Sequence, residues 1–343
     1  MMTHRRVTIQ DIADACKLSR NTVSKVFNNR GAVPEATKRT VLSKAQELGY
    51  YQLPESSANA LLEKRCNIAL LTGNDPQGHS FGSHVITSFT DQISRAGYNL
   101  KIFRVSEDEI ASRSLPPHLL LSETAGIITI ELFDRDYCDM LCTVGLPTIF
   151  IDFYANSRGS LLKSDLVMME NYTSSVFLTR HLIQCGATCF GFVGDITHCL
   201  SFKERWIGYR TTLQEAGISS VDACSILSKD DAPYGNTDWL LEQLRAMPRI
   251  PHAFVCANDY LAIHLMTALK KMGLNIPNDV MVTGFDGSPE SSVVEPALTT
   301  ARIPSADFGR VAADILLNRI QNPDRPYTRT YVNTVPLLRD STR

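Results

Sequence analysis

The chain has 343 residues, of which 44% are hydrophobic and 20% are charged, and its formal net charge is −2 at pH 7. Residues 1–65 hold 11 Lys and Arg against 6 Asp and Glu, whereas the remainder holds 23 against 30. This length allows two domains, and a basic N-terminal region on an acidic body favours a nucleic-acid-binding module attached to a part that does not bind nucleic acid.

No apolar run is long enough to cross a bilayer, and the polar N-terminus lacks the apolar core of a signal peptide, so we expect a cytoplasmic protein. The nine cysteines are scattered, and the pairs Cys138/Cys142 and Cys185/Cys189 have CxxxC spacing. This pattern favours reduced, mostly buried thiols over a metal site or a disulfide framework.

A short first helix is predicted near the N-terminus. Ile9, Ile12 and Ala13 recur at the i, i+3, i+4 spacing of a buried helical stripe. Thr8 is a plausible N-cap, and Asp11 favours the positive end of the helix dipole.

A second helix follows the turn at residues 16–18, with Ser19 as its N-cap. Val23, Val26 and Phe27 are predicted to face inward. The side chains left on the outer face, near the helix start, are Arg20, Asn21 and Lys25. Arg pairs with guanine, and Asn with adenine, through paired hydrogen bonds in the major groove of DNA. A generic amphipathic helix pair is the alternative interpretation.

Pro34 starts a third predicted helix, from Glu35 to Leu48. The side chains predicted to close a three-helix core are Ala36, Val41, Ala45 and Leu48.

The segments VTIQDIADACKLSRNTVSKVFN and VPEATKRTVLSKAQELGY resemble the head of the lactose-repressor (LacI/GalR) family of bacterial transcription regulators. The resemblance implies that Arg20, Asn21 and Lys25 contact bases. It also implies a set of residues that hold DNA phosphates, which position the protein without specifying sequence: Thr8, Ser19, Thr22, Ser24 and Asn28. Lys17 departs from the family, which usually has glycine there, and implies a different turn or an extra phosphate contact.

The stretch 56–62 is too short to be a stable helix on its own in water. By resemblance it is a hinge helix that folds when two copies meet on DNA. Leu61 falls where the family inserts a leucine into the minor groove, which kinks the duplex, and Ala58 would accompany it. The alternative is a linker with an ordinary core leucine.

From residue 67 onward, short apolar strands alternate with amphipathic helices, a pattern typical of parallel sheets with right-handed crossovers. The predicted strands are 68–72, 100–103, 126–130, 148–152, 190–193, 253–257 and 280–283. The predicted helices are 83–96, 173–184, 205–216, 239–246, 259–272 and 306–319. Ligands on such sheets bind beyond the carboxyl ends of the strands.

The second half of the chain resembles the same family at several motifs in the same order: Glu170-Asn171, Gly191-Phe192-Val193-Gly194, Arg205-Trp206-Ile207-Gly208-Tyr209, Cys256-Ala257-Asn258-Asp259 and Gly284-Phe285-Asp286. The fold implied is an all-α helix-turn-helix domain at 1–52, a hinge at 53–65, and an α/β body of two periplasmic-binding-protein-like lobes with parallel sheets. The first lobe would span 66–163 and 298–325, and the second 164–297 and 326–343.

The resemblance implies, position by position, that four residues line the cleft between the lobes: Asp152, Arg205, Asn258 and Asp286. Second-rank candidates are His79, Phe81 and Ser201. Carboxylates accept hydrogen bonds from sugar hydroxyls and arginine donates in a fixed fork, so the set suits a carbohydrate-like effector. A surface ion pair or a helix cap is the alternative for any single residue.

The expected function is a dimeric transcription regulator, most often a repressor, that binds a palindromic operator and responds to a small effector. No cofactor and no metal are expected. The alternative effector within this function is a purine, and stacking of its ring on Phe81 or Trp206 would favour it. A transport-type binding protein is disfavoured by the basic head, and the usual phosphate-loop, GxSxG and HExxH signatures of enzymes do not occur.

Overall fold

The computed structural model describes residues 8–27, 33–48, 66–73, 80–156, 162–219 and 222–342. They form two compact units, a helical head and an α/β body. The hinge residues Ala58 and Leu61 and the phosphate candidate Asn28 lie outside these ranges.

The head contains α1 (Ile9–Cys16), α2 (Arg20–Phe27) and α3 (Glu35–Glu47). Both predicted N-caps are confirmed, because the Thr8 hydroxyl accepts from the Asp11 N–H at 3.3 Å and the Ser19 hydroxyl accepts from the Thr22 N–H at 3.0 Å. The fully buried core is Ile12, Ala13, Val23, Val26, Phe27, Val41, Leu42 and Ala45.

The prediction of Ala36 as a core residue is wrong, since Ala36 is exposed. Five residues separate it from Val41, which is about 140° around a helix at 100° per residue. Leu42 occupies the buried position instead.

Lys17 ends α1 in the left-handed region, with φ 54° and ψ 41°. Its N–H donates to the Asp14 carbonyl, and the Leu18 N–H donates to the Ala13 carbonyl. The turn is therefore the kind that glycine favours at a helix C-terminus, and the lysine occupies it at a conformational cost.

The first lobe of the body is built on a six-stranded sheet in the order β10-β5-β4-β3-β1-β2. Its strands are β1 (Asn67–Thr72), β2 (Asn99–Arg104), β3 (Thr124–Ile130), β4 (Thr148–Ile151), β5 (Asp165–Met169) and β10 (Arg329–Val332). The helices are α4 (Ser80–Arg95), α5 (Glu107–Ser112), α6 (Arg135–Leu141) and α12 (Ser305–Gln321). Every residue of β1, β3, β4 and β5 is buried, because apolar side chains pack on both faces of the sheet.

The second lobe has a three-stranded parallel sheet in the order β6-β7-β8. These strands are Phe190–Val193, Ala253–Cys256 and Met281–Thr283. Its helices are α7 (Tyr172–Gln184), α8 (Leu200–Glu215), α9 (Thr237–Ala246), α10 (Asp259–Lys271) and α11 (Pro289–Val293). An antiparallel pair, β9 (Thr300–Arg302) and β11 (Val335–Leu337), and short 3₁₀ turns at Asp222–Cys224 and Asp340–Thr342 complete the described elements.

All seven predicted strands and all six predicted body helices are present, most of them with shifted ends. The elements missing from the prediction are strands β5, β9, β10 and β11 and helices α5, α6 and α11. Since β5 and β10 pair in parallel within the first sheet, the predicted lobe boundaries at 163/164 and 325/326 fall too early. Helix α8 begins at Leu200, five residues before the predicted start at Arg205.

None of the described helices has both the length and the apolar character needed to span a bilayer. No disulfide joins any of the nine cysteines, all of which lie in the described ranges, and five of them are buried.

Candidate functional site

A cavity of about 620 Å³ opens within the body, at the carboxyl ends of strands from both sheets. Its first-lobe wall includes Glu131 after β3 and Asp152 after β4, and its second-lobe wall includes Asn258 after β7 and Asp286 after β8. This volume falls in the range of small-molecule sites, and strand ends are where parallel sheets bind ligands.

Three acidic residues of the cavity have left-handed backbone conformations. The φ angles are 52° for Glu131, 60° for Asp152 and 116° for Asp286. Non-glycine residues adopt such angles at a cost, and such residues concentrate at ligand sites that the surrounding structure holds in place. The strands therefore turn sharply at the points where they present carboxylates to the cavity.

Arg205, only 3% exposed, is the buried cation of this site. Its Nε donates to Asn171 Oδ1 at 2.9 Å, and its Nη1 donates to the Ala257 carbonyl at 2.6 Å. The guanidinium carbon lies 3.6 Å from the centre of the Phe285 ring. These contacts fix the guanidinium, so that its orientation does not depend on a ligand.

Asp286 is the nearest carboxylate to that cation, with 3.7 Å between its Oδ1 and Arg205 Nη1. Burial raises the pKa of Asp286, and the neighbouring carboxylates of Asp259 and Glu131 raise it further, against the opposing effect of Arg205. The surroundings of Asp286 therefore disfavour the charged form of its carboxyl group.

Asp152 and Ser201 lie side by side where the two lobes meet. Asp152 Oδ1 accepts from the Phe153 N–H at 2.7 Å and from the Ser201 N–H at 3.1 Å. Burial raises the pKa of Asp152, while those hydrogen bonds oppose the rise. Asp152 therefore links β4 of the first lobe to the start of α8 in the second.

Asn258 lines the cavity and also caps α10, because its Oδ1 accepts from the Leu261 N–H at 2.9 Å. The next residue, Asp259, is almost fully buried and accepts from the Thr300 hydroxyl at 2.6 Å and the Ser288 N–H at 2.7 Å. Asp259 is therefore fixed by its own protein partners.

Asn171 is a residue that the sequence analysis quoted but did not place in the site. It is completely buried, and its Nδ2 donates to the Met169 carbonyl and to Glu204 Oε2, each at 2.9 Å. The Tyr331 hydroxyl, from β10, donates to the other oxygen of Glu204 at 2.8 Å. A hydrogen-bonded chain thus runs from the first-lobe sheet through Glu204 and Asn171 to Arg205.

Glu170 caps α7. Its two carboxylate oxygens accept from the Thr173 N–H at 2.9 Å and the Ser174 N–H at 3.1 Å. This capping leaves the neighbouring Asn171 to hold Arg205.

The cavity also has an aromatic lining that the sequence analysis missed: Phe133, His198, Phe202, Tyr234 and Tyr260. Phe202 lies in the part of α8 before the predicted start, and His198 lies just before that helix. Trp206, a predicted stacking candidate, instead packs against Phe192 at 5.1 Å between ring centroids. His79 and the side chain of Phe81 lie outside the described part of the chain, although Phe81 itself belongs to the first turn of α4.

The predicted base-reading residues of the head form one exposed surface of α2. Arg20, Asn21 and Lys25 are exposed, whereas Val23, Val26 and Phe27 are buried. Of the predicted phosphate contacts, Ser19 and Thr22 share a hydrogen bond of 2.8 Å between their hydroxyls at the start of the helix. Thr8 is at the N-cap of α1, and Ser24 is half-buried on α2.

Fold and site define a class of protein: a two-lobed small-molecule binding body carried on a helical head with a basic, exposed recognition surface. Comparisons with known proteins agree. Residues 8–52 match the family "Bacterial regulatory proteins, lacI family", and residues 179–342 match "Periplasmic binding protein-like domain".

Similar proteins extend over nearly the whole chain. The HTH-type transcriptional repressor PurR of Haemophilus influenzae is 25% identical, with 98% of each chain covered. A solved complex of the transcriptional regulator CelR with cellobiose superposes with a TM-score of 0.72 at 23% identity, covering 98% of this chain and 100% of the other. The solved structure of the lac repressor dimer bound to operator and the anti-inducer ONPF superposes with a TM-score of 0.69 at 22% identity. The match covers 98% of this chain and 99% of the other.

The chain carries a lacI-family DNA-binding domain at residues 8–52 and a periplasmic-binding-protein-like domain at residues 179–342. It is a DNA-binding transcriptional repressor regulated by a small-molecule effector.

Proposed function

We propose that the protein binds a palindromic operator as a homodimer. A carbohydrate-like effector bound in the cleft controls its affinity for that operator. The observation that carries this proposal is the fixed, buried Arg205 beside the cavity-lining Asp152, Asn258 and Asp286. Such a set offers acceptors and a rigid donor to a polyhydroxylated ligand. Ser201 borders it, and His79 and Phe81 are retained as further candidates for effector contacts.

In the head, Arg20, Asn21 and Lys25 are proposed to read bases. The proposed phosphate contacts are Thr8, Ser19, Thr22, Ser24 and Asn28. Ala58 and Leu61 are proposed to enter the minor groove at the centre of the site. A two-fold dimer, formed through α4 and the segment after Asp108, would place two heads on half-sites about 10 base pairs apart.

Trp206, one of the two predicted stacking candidates for a purine, is engaged in the second-lobe core and does not line the cavity, although other aromatic rings do. The similar CelR protein was solved with cellobiose, which supports testing sugars first. An effector can change DNA affinity only through its different affinities for the two lobe arrangements.

The test is selection of bound sequences from a random DNA pool, followed by anisotropy measurements on the selected duplex with a panel of sugars. We expect a palindrome with a central pyrimidine–purine step, because such steps kink easily. The Arg205→Ala variant is expected to bind this duplex but lose the effector response. The matched control is Arg210→Ala, on the same helix, where the side chain is exposed and lies over Trp206.

Loss of operator binding in a well-folded Arg205→Ala protein would contradict the placement of the effector site. Failure to enrich any motif would instead favour a plain small-molecule binding protein.

A further inference from the structure

Acidic side chains dominate the lining of the cavity. Its described lining contains six carboxylates, whereas Arg205 is its one lysine or arginine among the described residues. The six carboxylates belong to Glu131, Asp152, Asp230, Asp259, Asp286 and Glu290. Three of them have partners in the protein, because Asp152 and Asp259 accept hydrogen bonds and Asp230 lies 3.5 Å from His198 Nδ1.

Two of the remaining carboxylates lie on opposite walls, and neither accepts a recorded hydrogen bond from the described residues. Glu131 Oε2, at the end of β3 in the first lobe, is buried and has no hydrogen-bond partner among the described residues. Asp286, in the second lobe, approaches Arg205 at 3.7 Å, which is longer than a hydrogen bond. The two groups repel each other, as the contribution of Glu131 to the raised pKa of Asp286 shows.

Arg205 cannot balance both. Its Nε and Nη1 already donate to Asn171 and Ala257, and its guanidinium face lies against Phe285. A buried carboxylate without a partner is costly, and a charged donor satisfies it better than a neutral hydroxyl does. An organic ammonium group is such a charged donor.

We propose that the effector carries an ammonium group bound between Glu131 and Asp286, so that it is a polyhydroxylated amine such as an amino sugar. This inference rests on the proposed effector site and narrows its ligand class. Neutral sugars would leave the excess negative charge in place, and sugar phosphates or sugar acids would add to it.

The experiment is calorimetric titration of the full-length protein with matched hexose sets. Glucose, galactose and mannose are each compared with their 2-amino form, their N-acetyl form and their uronic acid. The N-acetyl form keeps the nitrogen but removes its charge, so it separates charge from shape. We expect one amine to bind at least tenfold more tightly than its parent hexose and its N-acetyl form.

The Glu131→Gln variant is expected to lose that tenfold preference and retain the affinity for the parent hexose. Glu242→Gln, on the exposed side of α9 and outside the cavity, should keep the preference. Tighter binding of a neutral or acidic form, no binding by any of the amines, or an unchanged preference in Glu131→Gln would overturn the proposal.

Operator release, measured in parallel, separates this inference from the proposed function. If a neutral sugar released the operator in an Arg205-dependent way, the amine proposal would be rejected and the proposed regulatory function would stand. Tight amine binding that leaves operator affinity unchanged would support the amine and reject effector control through this cleft.

Discussion

The head and the cleft present their functional side chains in opposite ways. The head exposes Arg20, Asn21 and Lys25 on one turn and a half of α2, over a core to which they do not contribute. The cleft buries Arg205 and supports it with residues from distant parts of the chain. On the proposed roles, base reading is therefore separable from head stability, whereas effector binding and body stability share the same hydrogen bonds.

The largest effect that would test this contrast is expected from Asn171→Ala. The substitution removes the acceptor of Arg205 Nε and the Asn171 donor to Glu204 Oε2, so these two atoms lose their recorded side-chain partner. Each unsatisfied buried group costs about 1–3 kcal/mol, so we expect a loss of about 3 kcal/mol in the unfolding free energy of the body, together with loss of the effector response. Urea unfolding and effector titration measure the two.

Asn278→Ala, at an exposed position, is the matched control and should change neither quantity. If Asn171→Ala weakened effector binding while the unfolding free energy stayed within about 0.5 kcal/mol of the parent, the coupling of stability and function in the cleft would be refuted.

The head is expected to behave in the opposite way. Arg20→Ala should weaken operator binding by about 1–3 kcal/mol and relax the base preference at one position of each half-site. Its thermal midpoint should stay unchanged because Arg20 is exposed. Arg39→Ala, on the exposed side of α3, is the control for loss of one positive charge. An equal loss of affinity on all sequences would make Arg20 a phosphate contact instead.

Asp286→Asn tests whether the cleft carboxylate destabilises the body. Burial raises the pKa of Asp286 above its unfolded value, so the folded state binds the proton more tightly, and stability falls as pH rises from about 4 through the folded pKa. Removing the charge should stabilise the body by about 1–3 kcal/mol at pH 8 and by much less at pH 4. Thermal unfolding of both proteins across this range gives the difference, and a constant difference would show that the charge is not responsible.

The same contrast explains what the sequence predicts. The head depends on local spacing, so its caps, its helix limits and its exposed basic surface follow from residues within one or two turns. The cavity lining was predictable where a strand end carries a recognisable motif, as at Asn258 and Asp286. Glu131 and Phe133 follow β3 without such a motif, and the role of Asn171 depends on Arg205, 34 residues further along the chain.

Lys17 was predicted either to change the turn after α1 or to add a phosphate contact. Its substitution gives the smallest expected effect. The structure shows a glycine-type turn held by a lysine at φ 54°. Lys17→Gly should therefore stabilise the head by about 1 kcal/mol through relief of the left-handed conformation, partly offset by the greater entropy of glycine in the unfolded chain. Lys17→Ala keeps the backbone cost and removes only the charge. If both variants lost operator affinity equally, the lysine would act on phosphate as well. If only Lys17→Gly changed the thermal midpoint, and neither changed affinity, the backbone alone would account for the residue.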